Sequence, residues 1–197
     1  MDLFSKKAGE WDANTMRQEL SQYIGGAIQD LLSSSHKVLD FGAGTGLITE
    51  HIARQSQQIT AVDISQSMLE KLQEKEGLSD VRIVCQDITS SPLEDDFDAI
   101  VSAMAVHHVE DTELLLKRFF EMLNPSGFIA LADLDKEDGS FHPPKTEGIF
   151  HHGFDRNEFQ NLLETIGFTD VTFKTVHSVE KEDMSYPIFL VTAKKSA

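Results

Sequence analysis

Apolar and polar positions along this chain follow two patterns that alternate. Short apolar runs, typical of buried strands, are followed by segments in which apolar residues return every three or four positions, typical of amphipathic helices. The predicted strands are residues 37–41, 59–63, 81–85, 97–102, 128–134, 169–176 and 188–192. The predicted helices are residues 15–32 and 46–54, a segment with Met68, Leu69 and Leu72 on one face, residues 111–123, and a segment that begins at Asp155 and carries Phe159, Leu162, Leu163 and Ile166.

The alternation of strand and helix predicts an α/β fold, with a seven-stranded, mainly parallel sheet and helices on both faces. No obvious helix separates residues 169–176 from residues 188–192, so we expect an antiparallel last strand. The chain has 197 residues, enough for one domain with its own core. We predict a single domain over residues 1–197, made of an N-terminal helical segment (residues 1–35) and a core (residues 36–197).

A glycine-rich turn follows the first predicted strand. Gly42, Gly44 and Gly46 occupy alternate positions, and Leu47 begins the next amphipathic segment. A strand that turns into a helix through glycines brings bare backbone close to a ligand, and the N-terminus of the helix favours a carboxylate or another anion. The turn therefore predicts a nucleotide-type pocket.

Four polar side chains stand at the carboxyl ends of predicted strands, where sheets of this kind bind ligands: Asp40, Asp63, Asp87 and Ser102. A dinucleotide cofactor would require a glycine at Leu47, and Asp40 is unsuitable beside a pyrophosphate but suits a cationic ligand. Asp63 fits ribose hydroxyls with either kind of cofactor. Asp87 is placed to accept a hydrogen bond from an adenine amino group.

Five stretches, in this order along the chain, resemble the motifs of the class I S-adenosylmethionine-dependent methyltransferases, which have a seven-stranded Rossmann-like fold. The stretches are residues 38–49, 61–65, 85–88, 97–102 and 123–128. The chain is most similar to the small-molecule branch that includes the quinone-biosynthesis methyltransferases. The resemblance implies an enzyme that transfers a methyl group from S-adenosylmethionine to a small molecule by in-line displacement and releases S-adenosylhomocysteine.

The resemblance also implies which positions contact the cofactor. In this family, aspartates orient the methionine end of the cofactor and bind its ribose hydroxyls and its adenine amino group. Backbone groups and apolar side chains pack around the cofactor. The implied contacts are Asp40, Gly42, Ala43, Gly44, Ser102 and Ala103 around the methionine end and the transferred methyl, Asp63 at the ribose, and Ile64, Met68, Asp87 and Ile88 around the adenine and its sugar.

Histidines are the candidate bases of this chain. The methyl group of the cofactor is already activated, so a base is needed only for a hydroxyl or a protonated amine acceptor. Histidines follow the fourth predicted strand and recur in a long polar segment, residues 135–153, which we expect over the pocket mouth. Their spacing, together with Asp133 and Asp135, matches no zinc pattern, so we predict no metal site. The candidate bases are His107, His108, His142, His151 and His152, of which His107, His151 and His152 are predicted to be catalytic.

Charge and cysteine content narrow the possible partners. The chain has 33 acidic and 17 basic residues and a net charge of −16, which disfavours nucleic acid and membrane surfaces. The single cysteine, Cys85, lies in an apolar run and is predicted to be a core residue rather than a catalytic thiol. No segment resembles a signal peptide or a membrane span, so we predict a cytoplasmic monomer or homodimer that acts on a small molecule.

Three aromatic residues of the N-terminal segment, Phe4, Trp11 and Tyr23, have two interpretations, as a lid over the pocket or as a cap on the sheet. Two alternatives to a methyltransferase function remain open. One is a nicotinamide-dependent oxidoreductase, which Leu47 and Asp40 disfavour. The other is a regulatory or partner protein that binds the cofactor without turnover.

Overall fold

The computed structural model describes residues 8–56, 58–181 and 183–196, in which seven strands form one sheet of order β3-β2-β1-β4-β5-β7-β6. Every pair from β3 to β5 is parallel, and β7 is antiparallel to both of its neighbours. The predicted seven-stranded, mainly parallel sheet with an antiparallel last strand is confirmed. The strands are β1 Lys37–Phe41, β2 Gln58–Asp63, β3 Arg82–Cys85, β4 Phe97–Ala103, β5 Leu123–Leu134, β6 Phe168–Lys181 and β7 Met184–Lys195.

Helices cover both faces of the sheet, as the alternating apolar pattern predicts. Successive strand residues point to opposite faces, so Val38 joins one buried cluster and Leu39 the other. The first cluster also contains buried residues of α1, α2 and α3, and the second contains those of α4 and α5. The helices are α1 Thr15–Gln29, α2 Thr49–Ile52, α3 Gln66–Gln73, α4 Thr112–Met122 and α5 Arg156–Ile166, with short 3-10 helices at Ala8–Ala13 and Val106–His108.

The helix boundaries agree with the capping residues in the sequence. The side chains of Ser65 and Asp111 accept hydrogen bonds from the third backbone N–H that follows each of them. Asp155 accepts from two such groups at the start of α5, and Gly167 ends that helix in the left-handed conformation, with φ +119°. Polar side chains thus satisfy backbone donors that a helix leaves without partners.

Two predicted helices are shorter than expected. The predicted helix 46–54 is reduced to the four-residue α2, because the glycine turn continues through Gly46, which has φ +86°. The predicted helix 15–32 ends at Gln29 but includes Gly25 and Gly26. A Cβ atom on Gly25 would lie 2.4 Å from the ring of His51, so this glycine lets α1 approach the α2 region closely.

The predicted strands near the end of the chain are too short. β6 extends through Glu180 and Lys181, β7 begins at Met184, and the two strands form a long hairpin with Lys181 paired to Met184. β5 begins at Leu123, because Leu123 pairs with Phe97 and the chain then bulges before Phe128 pairs with Ala99. Pairing with a neighbouring strand has therefore extended elements beyond their apolar runs.

The prediction that Cys85 is a core residue is wrong. β3 is the edge of the sheet and pairs only with β2, and Cys85 is exposed, with its Sγ 3.6 Å from the carbonyl oxygen of Ile64. An apolar run does not distinguish an edge strand from a central one. None of the helices in the described part of the chain has the length and hydrophobicity needed to cross a membrane.

Candidate functional site

A cavity of about 1020 Å³ opens at the carboxyl ends of β1, β2 and β4. Across the sheet, β2 and β3 follow β1 in one direction, and β4 then pairs with the opposite side of β1. Such a reversal leaves a crevice beyond the strand ends, where ligands bind in open α/β sheets. One half of the cavity is lined by the glycine turn and the ends of β1 and β2, and the other half by histidines and aromatic side chains.

The glycine turn supplies bare backbone to the cavity wall. The N–H groups of Gly42 and Ala43 donate to the carbonyl oxygen of Val62, at 2.9 and 3.1 Å, which anchors the turn on β2. Gly42 has φ +67°, and a Cβ atom there would lie 2.4 Å from the Cβ of Ala105. Only glycine combines this conformation with so close an approach.

Asp63, at the end of β2, joins two parts of the cavity wall. One carboxylate oxygen accepts from the N–H of Gly44 at 2.8 Å, and the other accepts from the N–H of Ser65 at 2.8 Å. The carboxylate therefore sets the distance between the glycine turn and the start of α3 while lining the cavity.

Apolar side chains and a second aspartate line the cavity next to Asp63. Met68 and Ile88 are buried, whereas Ile64 is 65% exposed and lies at the rim. Asp87 accepts from the N–H and the hydroxyl of Thr89, at 2.9 and 2.6 Å. Burial would raise the pKa of Asp87, but hydrogen bonds from Thr89 and Ser90 outweigh it and lower the pKa, which keeps the carboxylate ionised.

Two predicted cofactor contacts, Asp40 and Ser102, lie behind the cavity wall and do not line it. The hydroxyl of Ser102 donates to the carbonyl oxygen of Phe41 at 2.9 Å. Asp40 is buried and accepts from the hydroxyl of Thr49 at 2.7 Å; burial is the main cause that raises its pKa to about 7. Asp40 pairs with Ala61, two positions before Asp63, so it lies deeper in the sheet than the cavity wall, and Ser102 is held by the backbone of β1. Ala103 does line it.

A buried His–Asp pair stands at the opposite end of the cavity. Nδ1 of His107 lies 2.6 Å from a carboxylate oxygen of Asp133 on β5, and the other oxygen accepts from the backbone N–H of His107 at 3.2 Å. His107 lines the cavity and is 1% exposed, and its Nε2 has no hydrogen-bond partner among the described residues. Buried polar atoms almost always have a hydrogen-bond partner. Nε2 of His107 is therefore placed to bind a ligand or a water molecule.

The two members of the pair change each other's pKa. Burial would lower the pKa of His107, but the charge and hydrogen bond of Asp133, with the charge of Glu137, outweigh it and raise the pKa. Burial would raise the pKa of Asp133, but His107 and backbone N–H groups outweigh it and lower the pKa. An ionised carboxylate only accepts, so Nδ1 of His107 carries the proton, and Nε2 of the neutral ring has a free lone pair.

Two further histidines line the cavity beside His107. The ring of His108 is 4.2 Å from that of His107 between centroids, and its Nδ1 is 2.6 Å from the carbonyl oxygen of Gly148. The ring of His142, from the long segment after β5, is 5.2 Å from His107. Burial, followed by the charges of His107, His108 and Lys181, lowers the pKa of His142 to about 4, so this ring is neutral at pH 7.

Two predicted catalytic residues, His151 and His152, do not line the cavity. Nε2 of His151 lies 3.0 Å from the hydroxyl of Thr112 and 2.9 Å from the carbonyl oxygen of Val109, so this ring ties the long segment to the start of α4. The ring of His152 is largely exposed, with Nδ1 3.5 Å from Glu137. His142 lines the cavity instead. In the sequence, only its position in the long loop had indicated a role at the site.

The N-terminal segment covers part of the cavity. Trp11 and Arg17 line the cavity wall, with the guanidinium carbon of Arg17 3.5 Å from the centroid of the Trp11 ring. The hydroxyl of Thr45 donates to Asp12 at 2.5 Å, and Lys75 holds the other oxygen of Asp12 at 2.8 Å. These bonds fasten the segment to the glycine turn and to the turn that follows α3. Of the other two predicted lid residues, Tyr23 stacks on His177 away from the cavity, and Phe4 lies outside the described residues.

Comparisons with known proteins identify this architecture. A family model described as a methyltransferase domain matches residues 39–131, which contain the glycine turn, Asp63, Asp87 and His107. Residues 39–131 therefore match a methyltransferase domain. The seven-stranded fold is shared with solved methyltransferase structures, which confirms the predicted Rossmann-like fold. Relatives named as methyltransferases support the predicted enzyme class. The nicotinamide alternative is thereby disfavoured.

Individual relatives show the same methyltransferase relationship. An uncharacterized methyltransferase of Schizosaccharomyces pombe is 30% identical over 155 residues, which cover 70% of this chain and 55% of that protein. The malonyl-[acyl-carrier protein] O-methyltransferase of Bacillus cereus is 28% identical over 107 residues, 53% of this chain and 40% of the relative. The chain thus spans only about half the length of these relatives. The quinone-biosynthesis branch stays a prediction.

A solved methyltransferase structure shares the fold of this protein. Phosphoethanolamine N-methyltransferase 2 of Haemonchus contortus, in complex with S-adenosyl-L-methionine, superposes with a TM-score of 0.67 at 16% identity and covers 84% of this chain and 50% of its own. In the parts of this chain that the structure describes, no group of three or more histidine, cysteine or acidic side chains is arranged to hold a metal ion.

Proposed function

We propose that this protein transfers the methyl group of S-adenosylmethionine to a hydroxyl group of a small molecule and releases S-adenosylhomocysteine. The observation that carries the proposal is one cavity that has the glycine turn and Asp63 at one end and His107 at the other, whose Nε2 has no hydrogen-bond partner among the described residues. At about 1020 Å³ the cavity is at the upper limit for a site that holds one small ligand, and therefore suits a cofactor together with an acceptor.

The proposed cofactor site is the half of the cavity near the glycine turn. Backbone groups of Gly42, Ala43 and Gly44 would hold the methionine end, because their wall carries no side chain that prevents a close approach. The carboxylate of Asp63 would accept from the ribose hydroxyls. Asp87 would accept from the adenine amino group, and the adenine and its sugar would pack against the apolar wall, formed by Ile64, Met68 and Ile88 with Ala103 at the methyl end.

Asp40 and Ser102 enter the proposal as positioning residues. Ser102 binds the carbonyl oxygen of Phe41, directly before the glycine turn, and Asp40 binds Thr49, directly after it. Both side chains hold the two ends of the turn from behind, so they would fix its shape without touching the cofactor. His151 and His152 are not assigned a catalytic role.

His107 is the proposed general base. When bound, S-adenosylmethionine supplies a methyl group whose bond to sulfur breaks as the bond to the acceptor oxygen forms. Nε2 of His107 takes the proton of the acceptor hydroxyl, and Asp133 holds the opposite side of the ring and stabilises the charge that the ring then carries. The aromatic side chains around the histidines, Phe141 and Phe150, would exclude water from the acceptor.

A small-molecule acceptor fits the enclosure and the charge of this protein. The histidine half of the cavity lies beneath the segment that follows β5, which contributes Phe141, His142 and Pro143 to the wall. The net charge of −16 opposes the approach of a nucleic acid. The Bacillus cereus relative is named for methylation of a malonyl group on an acyl carrier protein, so we include carrier-bound acids among the acceptors to be tested.

Calorimetric titration of the purified protein with S-adenosylmethionine, S-adenosylhomocysteine and NAD tests the cofactor assignment. We expect micromolar dissociation constants for the first two and no binding of NAD; binding of NAD alone would overturn the assignment. Incubation with methyl-labelled cofactor and a cell extract tests turnover. A labelled small molecule is expected, and cofactor binding without any labelled product would favour a regulatory protein instead.

A further inference from the structure

Lys181 is a cation in the acceptor half of the cavity, and neither the cofactor contacts nor the His107–Asp133 pair explains it. The residue ends β6 and lines the cavity together with Phe141 and His142. We propose that the acceptor is a hydroxylated carboxylic acid whose carboxylate binds the ammonium group of Lys181 while its hydroxyl faces His107. This inference rests on the proposed function, because it names the class of acceptor for the same site.

The ammonium group of Lys181 is held in a defined position. It donates to the carbonyl oxygen of Phe141 at 2.5 Å and lies 3.8 Å from the centroid of the Phe141 ring. An ammonium group has three N–H donors, and this contact uses one of them. No other acceptor among the described residues binds the remaining two donors, so they can serve a ligand. Because the contact restricts a flexible side chain before any ligand arrives, binding would lose less side-chain entropy.

The charges around Lys181 do not neutralise it. No carboxylate of residues 8–56, 58–181 and 183–196 lies within ion-pair distance of its Nζ. Burial lowers the pKa of Lys181, and the more distant charge of Glu137 opposes that effect. His142 is neutral at pH 7, so a carboxylate from the acceptor would supply a counter-charge that none of the described residues provides within ion-pair distance.

Arg17 is a second cation that lines the cavity, and it lies in a different part of the wall. Arg17 contacts Trp11 in the N-terminal segment, and that segment is fastened to the glycine turn through Asp12 and Thr45. Arg17 therefore belongs to the cofactor half, where the one carboxylate of S-adenosylmethionine needs a partner. Lys181 belongs to the histidine half. If Arg17 binds the carboxylate of the cofactor, Lys181 is left for an anionic group of the acceptor.

Two unpartnered ring nitrogens indicate the rest of the acceptor. Nε2 of His107 and Nε2 of His142 are both buried without a hydrogen-bond partner among the described residues, and the two rings are 5.2 Å apart between centroids. A hydroxyl group can donate to one nitrogen and accept from the other. Phe141 and Phe150 provide apolar wall for an organic body.

A carboxylate fits Lys181 better than a phosphate does. Lys181 offers one ammonium group and a single positive charge, which matches a monoanion. A phosphate monoester carries nearly two negative charges and three acceptor oxygens, and proteins hold it with several donors or with a bidentate arginine. Among the described residues, the cavity wall next to Lys181 contains no arginine.

The test uses matched pairs of acids and amides. The protein is saturated with S-adenosylhomocysteine and titrated calorimetrically with salicylate, 4-hydroxybenzoate and 3,4-dihydroxybenzoate, with their primary amides, and with phenyl phosphate. The variants are Lys181→Met and, as a control, Lys174→Met, which removes an exposed lysine of the same strand. Binding of S-adenosylhomocysteine is measured for every variant first.

We expect at least one acid to bind the wild-type protein about tenfold or more tightly than its amide, the effect of a hydrogen bond to a charged group. Lys181→Met should remove this preference and Lys174→Met should keep it. The inference is overturned if no acid binds, if acids and amides bind equally, if Lys181→Met keeps the preference, or if phenyl phosphate alone binds. The wild-type comparison decides the question even if Lys181→Met does not fold.

The two proposals fail in different ways. If the wild-type protein does not bind S-adenosylhomocysteine, the proposed function is wrong. If it binds S-adenosylhomocysteine and shows no preference for acids, only the carboxylate inference is wrong.

Discussion

Two aspartates near the ends of neighbouring strands have different roles because they lie at different depths in the sheet: Asp40 pairs with Ala61, two positions before Asp63. Asp63 and Asp40 both stand at the ends of neighbouring parallel strands, but Asp63 lines the cavity and Asp40 is buried behind it. Asp63 carries hydrogen bonds from Gly44 and Ser65, so it both shapes the wall and presents charge to a ligand. Substitution at this position therefore tests the cofactor site most directly.

Asp63→Ala is expected to weaken the binding of S-adenosylhomocysteine by about 1.5–3 kcal/mol, the usual contribution of hydrogen bonds to a charged group. The measurement is calorimetric titration of both proteins. Asp80→Ala serves as the control, because Asp80 is exposed and does not line the cavity. A dissociation constant that hardly changes in Asp63→Ala would refute the ribose assignment.

The pH dependence of methyl transfer tests the role of Asp133. His107 acts as a base only when neutral, and Asp133 raises its pKa, so the rate of the wild-type enzyme should increase as pH rises through that raised value. Asp133→Asn removes the negative charge while burial continues to lower the pKa of His107. The rising limb of the rate profile should therefore move to lower pH, and the maximal rate should fall.

The control for this profile is Asp138→Asn, which changes an exposed aspartate in the segment after β5. Its profile should coincide with that of the wild-type enzyme. An unmoved limb in Asp133→Asn would show that His107 is not the titrating base. His107→Ala should reduce the rate by roughly 10²–10⁴-fold, the usual contribution of general-base catalysis.

At the level of the elements, α1 connects the cavity with the rest of the domain. Its residues Leu20, Ser21 and Ile24 line the cavity, while Gly25 faces His51. The adjacent Gly26 has no atom within 4 Å of the position a Cβ would take. Substitution of each glycine by alanine therefore distinguishes the effect of helix propensity, at Gly26, from the effect of packing, at Gly25.

Gly26→Ala should increase the free energy of unfolding by about 0.5–1 kcal/mol, because alanine favours the helix over glycine and meets no obstacle. Gly25→Ala should decrease it by about 1–3 kcal/mol, since the new methyl group overlaps the ring of His51. Urea unfolding of both variants gives the comparison. Equal effects of the two substitutions would contradict the proposed close approach of α1 and the α2 region.

At the level of the whole molecule, ligand binding should stabilise the fold. The cavity lies between β1, β2, β4, α1 and the segment after β5, so a ligand there contacts most parts of the domain. A ligand at 100 times its dissociation constant adds about 2.7 kcal/mol to the stability of the folded state.

For a chain of 197 residues this corresponds to an increase of roughly 5–10 °C in the unfolding temperature with S-adenosylhomocysteine. Differential scanning calorimetry measures the shift, and NAD at the same concentration is the control and should leave the temperature unchanged. An equal shift with both compounds would mean that the cavity does not distinguish them.

The sequence by itself determined the fold class and the match of residues 39–131 to a methyltransferase domain. Apolar periodicity separates strands from helices because side-chain direction repeats every two residues in a strand and every 3.6 in a helix. Capping residues such as Asp155 and the glycine turn are local signals as well, because each needs only its immediate neighbours to act. For these reasons the order of elements and the location of the glycine turn were predictable.

Only the tertiary structure decided which side chains share the cavity. Asp133 and His107 meet across 26 positions of the sequence, and Lys181 meets Phe141 across 40. His142 enters the cavity and His151 and His152 do not, although all three belong to the same region of the chain. Strand pairing and the path of the segment after β5 fix these positions. Both depend on contacts between distant residues, which local sequence patterns do not encode.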